Sequence, residues 1–286
     1  MNPKLRIAVA MLIYGSLGIF VTQLSIPTSQ IVFVRAALGC LALFLVLLGT
    51  GKTKSHVSFG NFVLLLLMGA FIGINWLLLF DAYKYTYVST ATLVYYTEPI
   101  IFIILSTLFL REKITKKKII GMCLAIIGML LINGVQIGGV DPKRGFILSL
   151  SAAAMYAVIV FINKACKSLE KVDGLVLTDI QLFGASLVMG FYTFTNYHGE
   201  LSHLDKKSLL ILLILGLVHT ALAYCLHFSS IKKVDAQSQA VLGYIDPASA
   251  VLFSFFFLNE KLSILQWIGA VLILGGALYS QLGSKK

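Results

Sequence analysis

Ten apolar stretches, joined by connections too short to hold a domain, leave this chain only lipid as a solvent in which to fold. They run over Leu5 to Thr22, Ser29 to Leu48, Phe59 to Phe80, Ser89 to Leu110, Lys117 to Asn133, Arg144 to Lys164, Gly174 to Thr195, Lys207 to Ser229, Ala236 to Leu258 and Leu262 to Leu282. A helix rising 1.5 Å per residue needs roughly 20 apolar residues to cross about 30 Å of hydrocarbon. Each stretch is therefore read as one spanning helix, because hydrocarbon offers nothing else to the backbone's polar groups. The chain is 58% hydrophobic and 12% charged, against about 25% charged for a soluble domain. The expected class is an all-α membrane protein. The longest connection, Asn196 to Lys206, is a bare link, so any chemistry belongs inside the bilayer. Lys4 and Arg6 ahead of the first stretch resemble the start of a signal peptide, but no A-x-A-like cleavage site follows and nine more spans do. That stretch is read as a retained helix.

A net charge of +11 would ordinarily raise nucleic acid as a partner. The positions of the 23 Lys and Arg residues remove that reading: sixteen fall in one set of alternate loops and termini, six in the other, and Arg35 alone lies within a span. Cationic residues resist translocation. The expectation is a multi-pass protein of the plasma (inner) membrane with both termini cytoplasmic. Cys40, Cys123, Cys166 and Cys225 lie in or at the ends of spans without close spacing, so they read as small packing residues, with no metal or cofactor expected.

The chain also contains itself twice. A shift of 148 positions places Lys84 on Lys232, Tyr96 on Tyr244, Pro99 on Pro247, Ser106 on Ser254, Phe109 on Phe257, Leu110 on Leu258, Glu112 on Glu260, Lys113 on Lys261, Gly121 on Gly269 and Gly128 on Gly276. A proline, a Glu-Lys pair and two glycines in register point to a duplicated unit. Five spans per unit make the second copy enter from the opposite face, so residues 1–142 and 143–286 are expected to be inverted five-helix repeats. Secondary transporters share this plan, with the binding site at the repeat interface near the bilayer centre.

Both copies carry a proline-containing helix, then Leu110-Arg111-Glu112-Lys113 or Leu258-Asn259-Glu260-Lys261, then a helix with spaced glycines. This pattern resembles the EamA-type transporters of the drug/metabolite transporter superfamily. The resemblance covers nearly the whole chain and is strongest over Lys84 to Ile132 and Lys232 to Ser280. It implies ten helices around a central cavity and, frequently among members, export of amino acids or other small metabolites.

Ionisable groups at mid-bilayer are costly and so are functional candidates by default. Glu98 and Asp246 both lie roughly 14 Å deep, each directly before a proline, Pro99 or Pro247, which breaks the helix. Apolar surroundings favour a neutral carboxyl, so either acid is a candidate for gating and for proton coupling; the alternative is that they bond neighbouring helices or neutralise Arg35. Arg35 suits an anionic substrate group or a carboxylate, unless its long side chain snorkels outward. Asp179, near the inner end of the seventh span, reads as a gate or interface contact. Tyr14, Asn75, Trp76, Tyr95, Tyr96, Tyr156, His219 and Tyr244 fall at mid-span depth and suit an amphipathic organic substrate, although aromatic residues in spans usually pack. His219 is also a candidate proton relay. Gly69 with Gly73, Gly121 with Gly128 and Gly269 with Gly276 read as close helix contacts.

The function expected is a secondary transporter of small organic metabolites, amino acid-like or drug-like, working by alternating access, with export suggested by the resemblance. Its partners are then a small-molecule substrate, protons and the lipid bilayer. An uncoupled facilitator or exchanger is the alternative. An intramembrane enzyme or a non-transporting scaffold is more remote: no H-E-x-x-H or G-x-S-x-G motif occurs, and the polar residues cluster mid-span, not along a channel.

Overall fold

The computed structural model describes residues 2–51, 57–111, 115–133, 139–196, 205–231, 233–234 and 242–281. Glu112, Lys113 and Lys232 of the repeat, the start of the ninth stretch, and the basic residues Lys52, Lys54, Lys285 and Lys286 lie outside them. Among the described residues the regular structure is helical throughout. The helices are α1 (Pro3–Gly15), α2 (Leu17–Val21), α3 (Thr28–Thr50), α4 (Phe59–Ala82), α5 (Val88–Tyr95), α6 (Glu98–Leu110), α7 (Lys116–Asn133), α8 (Pro142–Ala165), α9 (Gly174–Asn196), α10 (Lys206–Gly216), α11 (Ala223–Ile231), α12 (Ile245–Leu258) and α13 (Ile264–Gln281). A 3₁₀ turn follows α8 at Lys167–Lys171, and a π turn, Leu217–Leu222, joins α10 to α11.

Counting continuous segments, seven are long and apolar enough to cross a membrane, among them Val88–Leu110 and Lys206–Ser230, and Ile119–Gly128, Ile245–Leu258 and Ile264–Gly276 are shorter apolar helices. Two spans expected as plain helices are not. The first breaks at Ser16, whose hydroxyl donates to the Ile13 carbonyl at 2.8 Å and competes with the helix ladder. Glycines flank this break because other chain segments press against it: a Cβ on Gly15 would lie 2.6 Å from the Asp246 carbonyl oxygen, and one on Gly18 would strike Val88. The eighth span takes its π turn where Thr220 Oγ1 donates to the Leu215 carbonyl five residues back, at 2.9 Å.

Helix pairs approach closely where the repeat places small residues. In α7 and α13 a Cβ at Gly128 would sit 2.6 Å from the Gly269 carbonyl oxygen, and one at Gly276 would sit 2.7 Å from that of Gly121. Gly69 of α4 faces the Gln181 backbone of α9, and Gly73 faces Met189 and Ala185 of the same helix. With little hydrophobic drive between helices in lipid, such backbone contact is a main source of association. The main core lies where α3, α4, α9 and α10 converge, around Leu43, Phe80, Leu182 and Leu215.

Two further features recur at the 148-residue shift. Arg111 and Asn259 both end their helices in the left-handed region, at φ 53° and 54°, each donating its N–H to a serine carbonyl, Ser106 or Ser254. Beyond Asn259, the buried Glu260 carboxylate reaches across to cap α5, accepting from Val88 N at 2.7 Å, Ser89 N at 3.0 Å and Ser89 Oγ at 2.5 Å. Helix starts leave N–H groups unpaired, and a carboxylate there also meets the positive end of the helix dipole. One side chain thereby ties the connection after α12 to the start of α5.

Two outcomes follow for stability in detergent. Glu260→Ala is expected to lose about 2 kcal/mol and Glu260→Gln, which keeps one acceptor, about 1 kcal/mol, read from equilibrium unfolding. Gly128→Ala is expected to destabilise by about 1–3 kcal/mol through overpacking. Gly275→Ala, with nothing within 4 Å of the new methyl, is expected to be neutral or to gain up to about 1 kcal/mol from helix propensity.

Candidate functional site

The two prolines stand in the first turns of α6 and α12. In the fourth span α5 ends as Tyr96 N donates to Thr92 O at 3.0 Å and Thr97 N to Val94 O at 3.1 Å; α6 resumes at Glu98, with Pro99 next. In the ninth, Tyr244 holds the turn at φ −76°, ψ −7°, close to the −78°, −7° of Thr97, and α12 resumes at Ile245 ahead of Asp246 and Pro247. Proline has no N–H to donate and is tolerated in a first helical turn, where those groups lack partners anyway. Both acids consequently sit in the first turn of a helix, at the end where the dipole favours negative charge.

The acids and the tyrosines of the two breaks are arranged crosswise. The Tyr96 hydroxyl, from the end of α5, donates to Asp246 Oδ2 at the start of α12. Their counterparts at the repeat shift, Tyr244 and Glu98, lie within electrostatic range of each other. The two pairs differ in this conformation: Asp246 has its phenol, whereas Glu98 accepts no hydrogen bond among the described residues.

Aromatic residues surround this pair of breaks. Tyr95 meets Tyr96 edge-on at 6.0 Å and Tyr156 of α8 at 5.9 Å; Tyr14 of α1 meets Tyr224 of α11 at 5.7 Å and His227 at 6.3 Å. These rings come from four spans in two touching groups, and Tyr156 is 38% exposed while Tyr14, Tyr95, Tyr96, Tyr224 and His227 are only half-buried, as are Glu98 and Asp246. These side chains keep part of their surface open, unlike the fully enclosed Arg35 and Asn75.

Arg35 of α3 does not snorkel: it is 3% exposed, its Nε donates to Thr220 Oγ1 at 2.9 Å, and its guanidinium lies 3.9 Å from the Trp76 ring centre and 5.6 Å from that of Phe80. It pairs with neither Glu98 nor Asp246. Trp76 acts as its platform. His219 is engaged at both ring nitrogens, with Ser16 Oγ at 2.9 Å and the Ile214 carbonyl at 3.4 Å, and has Phe20 at 4.9 Å; it joins the break of the first span to the π turn of the eighth. Asn75 is fully buried and donates to the Ala152 carbonyl at 2.5 Å, bridging α4 and α8, and it reaches the site only through Tyr95 Oη at 3.5 Å. Asp179 stands apart at the α3–α9 contact, its carbonyl accepting from Cys40 Sγ at 3.8 Å. No cluster of metal-ligating side chains occurs among the described residues.

Tyr224, His227 and Thr220 join this arrangement without having been singled out from the sequence. Tyr224 and His227 are three apart and so share a helix face, a signal present in the sequence. Which face that is depends on the π turn before them, whose extra residue rotates everything that follows.

Residues 4–134 and 143–281 each match the EamA-like transporter family. Among curated relatives, the uncharacterized transporter YxxF of Bacillus subtilis is 26% identical over 278 residues, spanning 95% of this chain and 87% of that protein. A probable amino-acid metabolite efflux pump of Escherichia coli is 29% identical over 195 residues, spanning 65% of this chain and 64% of that protein. A solved crystal structure superposes with a TM-score of 0.70 at 17% identity, covering 99% of this chain and 98% of the other, which shows a shared fold. With both of its halves matched, this chain belongs to the EamA-like transporter family.

Proposed function

We propose that this protein is a secondary transporter that carries small organic solutes across the plasma membrane by alternating access. In this reading ten spanning helices form two inverted five-helix repeats, residues 1–142 and 143–286, with both termini cytoplasmic. The observation that carries it is the crosswise arrangement at the two proline-bearing helix starts: Tyr96 donates to Asp246, while the equivalent Glu98 accepts no hydrogen bond among the described residues and lies within electrostatic range of Tyr244. Inverted repeats allow two conformations that exchange the roles of the two halves. Here the exchange is local and chemical: the pair formed in one conformation is the pair broken in the other.

The acids then serve as the coupling groups. A carboxylate that gains a phenol donor is stabilised as the anion, and one that loses it among apolar groups is cheaper neutral. Each change of conformation therefore alters which carboxyl holds a proton, which links solute movement to the proton gradient. Tyr14, Tyr95, Tyr156, Tyr224 and His227 offer aromatic faces and hydroxyls to a solute between the halves, the lining of an organic-solute site. Export is the direction we favour, on the strength of the related protein named as an efflux pump.

In proteoliposomes with an imposed pH gradient, Asp246→Asn and Glu98→Gln are each expected to reduce proton-driven transport at least about tenfold while leaving solute counterflow measurable. Full gradient-driven transport in both variants would show that coupling does not run through these acids, and a parent protein that does not respond to the gradient would identify an uncoupled facilitator or exchanger instead. Tyr96→Phe removes the one donor to Asp246 among the described residues and is expected to slow gradient-driven transport about three- to tenfold, a loss of roughly 1 kcal/mol, the net contribution of one ordinary hydrogen bond. The Tyr244→Phe variant is expected to do the same through Glu98.

A further inference from the structure

The transport reading gives the acids a task and leaves the one cation of the spans without any. Arg35 uses Nε on Thr220 and one face on Trp76, but its Nη1 is buried with no acceptor, and no carboxylate pairs with it among the described residues. Tyr14 Oη is in the same condition, buried and without a hydrogen-bond partner, and the two groups act on each other electrostatically, together with Tyr224. A guanidinium can only donate, and a neutral phenol has a proton to donate. Two donors from different spans that lack an acceptor describe a receptor for negative oxygen, since an unpaired buried charge is a cost that packing alone does not repay.

The surroundings narrow the class. Asp246 is occupied by Tyr96, and the electrostatic partner of Glu98 in the opposite break is Tyr244. Asp246 and Arg35 both act electrostatically on Tyr14 and Tyr83, with opposite sign, so a carboxylate shares the surroundings of these tyrosines with the cation. One cation opposed by an acid suits a single negative charge and disfavours a doubly charged phosphate ester. Trp76, Phe80 and Tyr224 make the neighbourhood apolar, which suits an organic body over a hydrated inorganic ion. We infer that Arg35 and Tyr14 form the receptor for the charged group of an organic monoanion, a carboxylate or sulfonate, that this protein carries. That the anion is cargo rests on the transport reading; that it binds does not. Neither Arg35 Nη1 nor Tyr14 Oη has open surface in this conformation, so the tyrosines must part to admit the anion.

Trp76 reports on this receptor directly. The chain has two tryptophans, and Trp267 is 40% exposed on α13, so Trp267→Phe leaves Trp76 as the sole indole. In nanodiscs, phenylacetate and ethanesulfonate are expected to change its fluorescence saturably. Phenylacetamide, the neutral counterpart of the first, is expected to bind at least about tenfold more weakly, and Arg35→Gln to abolish the response to both anions. Without ligand, Arg35→Met, which removes the uncompensated charge and retains a flexible stem under Trp76, is expected to unfold at a higher temperature than the parent; Thr220 keeps its bond to Leu215 in that variant. An equal response to acid and amide, a response that survives Arg35→Gln, no response to either anion, or a lower unfolding temperature for Arg35→Met would overturn the inference. Counterflow of phenylacetate in proteoliposomes separates the two readings: fluorescence binding without counterflow retains the receptor and sinks the transport reading, whereas counterflow of phenylacetamide with no anion response does the reverse.

Discussion

Hydrocarbon gives a carboxylate nothing to bond, and the structure around the two mid-span acids is arranged to meet that shortage. Each acid sits at the start of a helix, where backbone N–H groups lack partners and the dipole is favourable. The prolines make this possible by standing in the first turns of α6 and α12, where a missing N–H leaves no partner unpaired. What the helix ends leave undone falls to tyrosine, and the hydroxyl of Tyr96 reaching Asp246 is the contact in which one broken helix meets the other. Without an acid to accept it, that hydroxyl would be one more polar group facing lipid-like surroundings. Without the hydroxyl, Asp246 would have only the end of its own helix.

The remaining contacts divide into those that hold helices in rigid pairs and those that are few enough to break. Backbone packing at Gly128 and Gly276 binds α7 to α13 along their length, and Gly69 and Gly73 do the same for α4 and α9. Such surfaces are close-packed and do not deform gradually. The Glu260 cap on α5 is of the other kind: three hydrogen bonds gathered on one carboxylate at the end of a span. A protein that changes shape between two states needs both kinds, rigid bodies and a small number of latches between them.

Much of this arrangement was legible in the residues. Apolar runs of the right length announce spans because lipid imposes length and composition at once. Pro99 and Pro247 announce breaks because proline removes a donor wherever it stands. The interruption at Ser16 was not legible: serine and glycine are common in spans, and the segment that packs against Gly15 there, around Asp246 and Ser249, lies more than 200 positions away. The π turn at Leu217–Leu222 hid for a similar reason, since Thr220 takes its unusual bond in the company of Arg35 from another helix. That turn in turn concealed Tyr224 and His227, whose facing no regular 3.6-residue period can give. Depth singled out Asn75 and His219 as candidates for the substrate lining, but depth carries no direction, and the partners they have here are Ala152 and Ser16.

The account's central claim is that the two halves alternate about these breaks as the Tyr96–Asp246 pair forms and parts; in that reading the Glu260 cap is closed in one conformation and open in the other. Lys84 and Lys261 are exposed residues on the two connections that this cap brings together. Nitroxide labels at these two positions, in a cysteine-substituted background and in nanodiscs, report the separation by pulsed electron paramagnetic resonance. The account predicts two distance populations, a short one with the cap closed and a longer one with it open, whose ratio shifts with pH and is lost to one population in Asp246→Asn. A single distance, unmoved by pH and by that substitution, would contradict it.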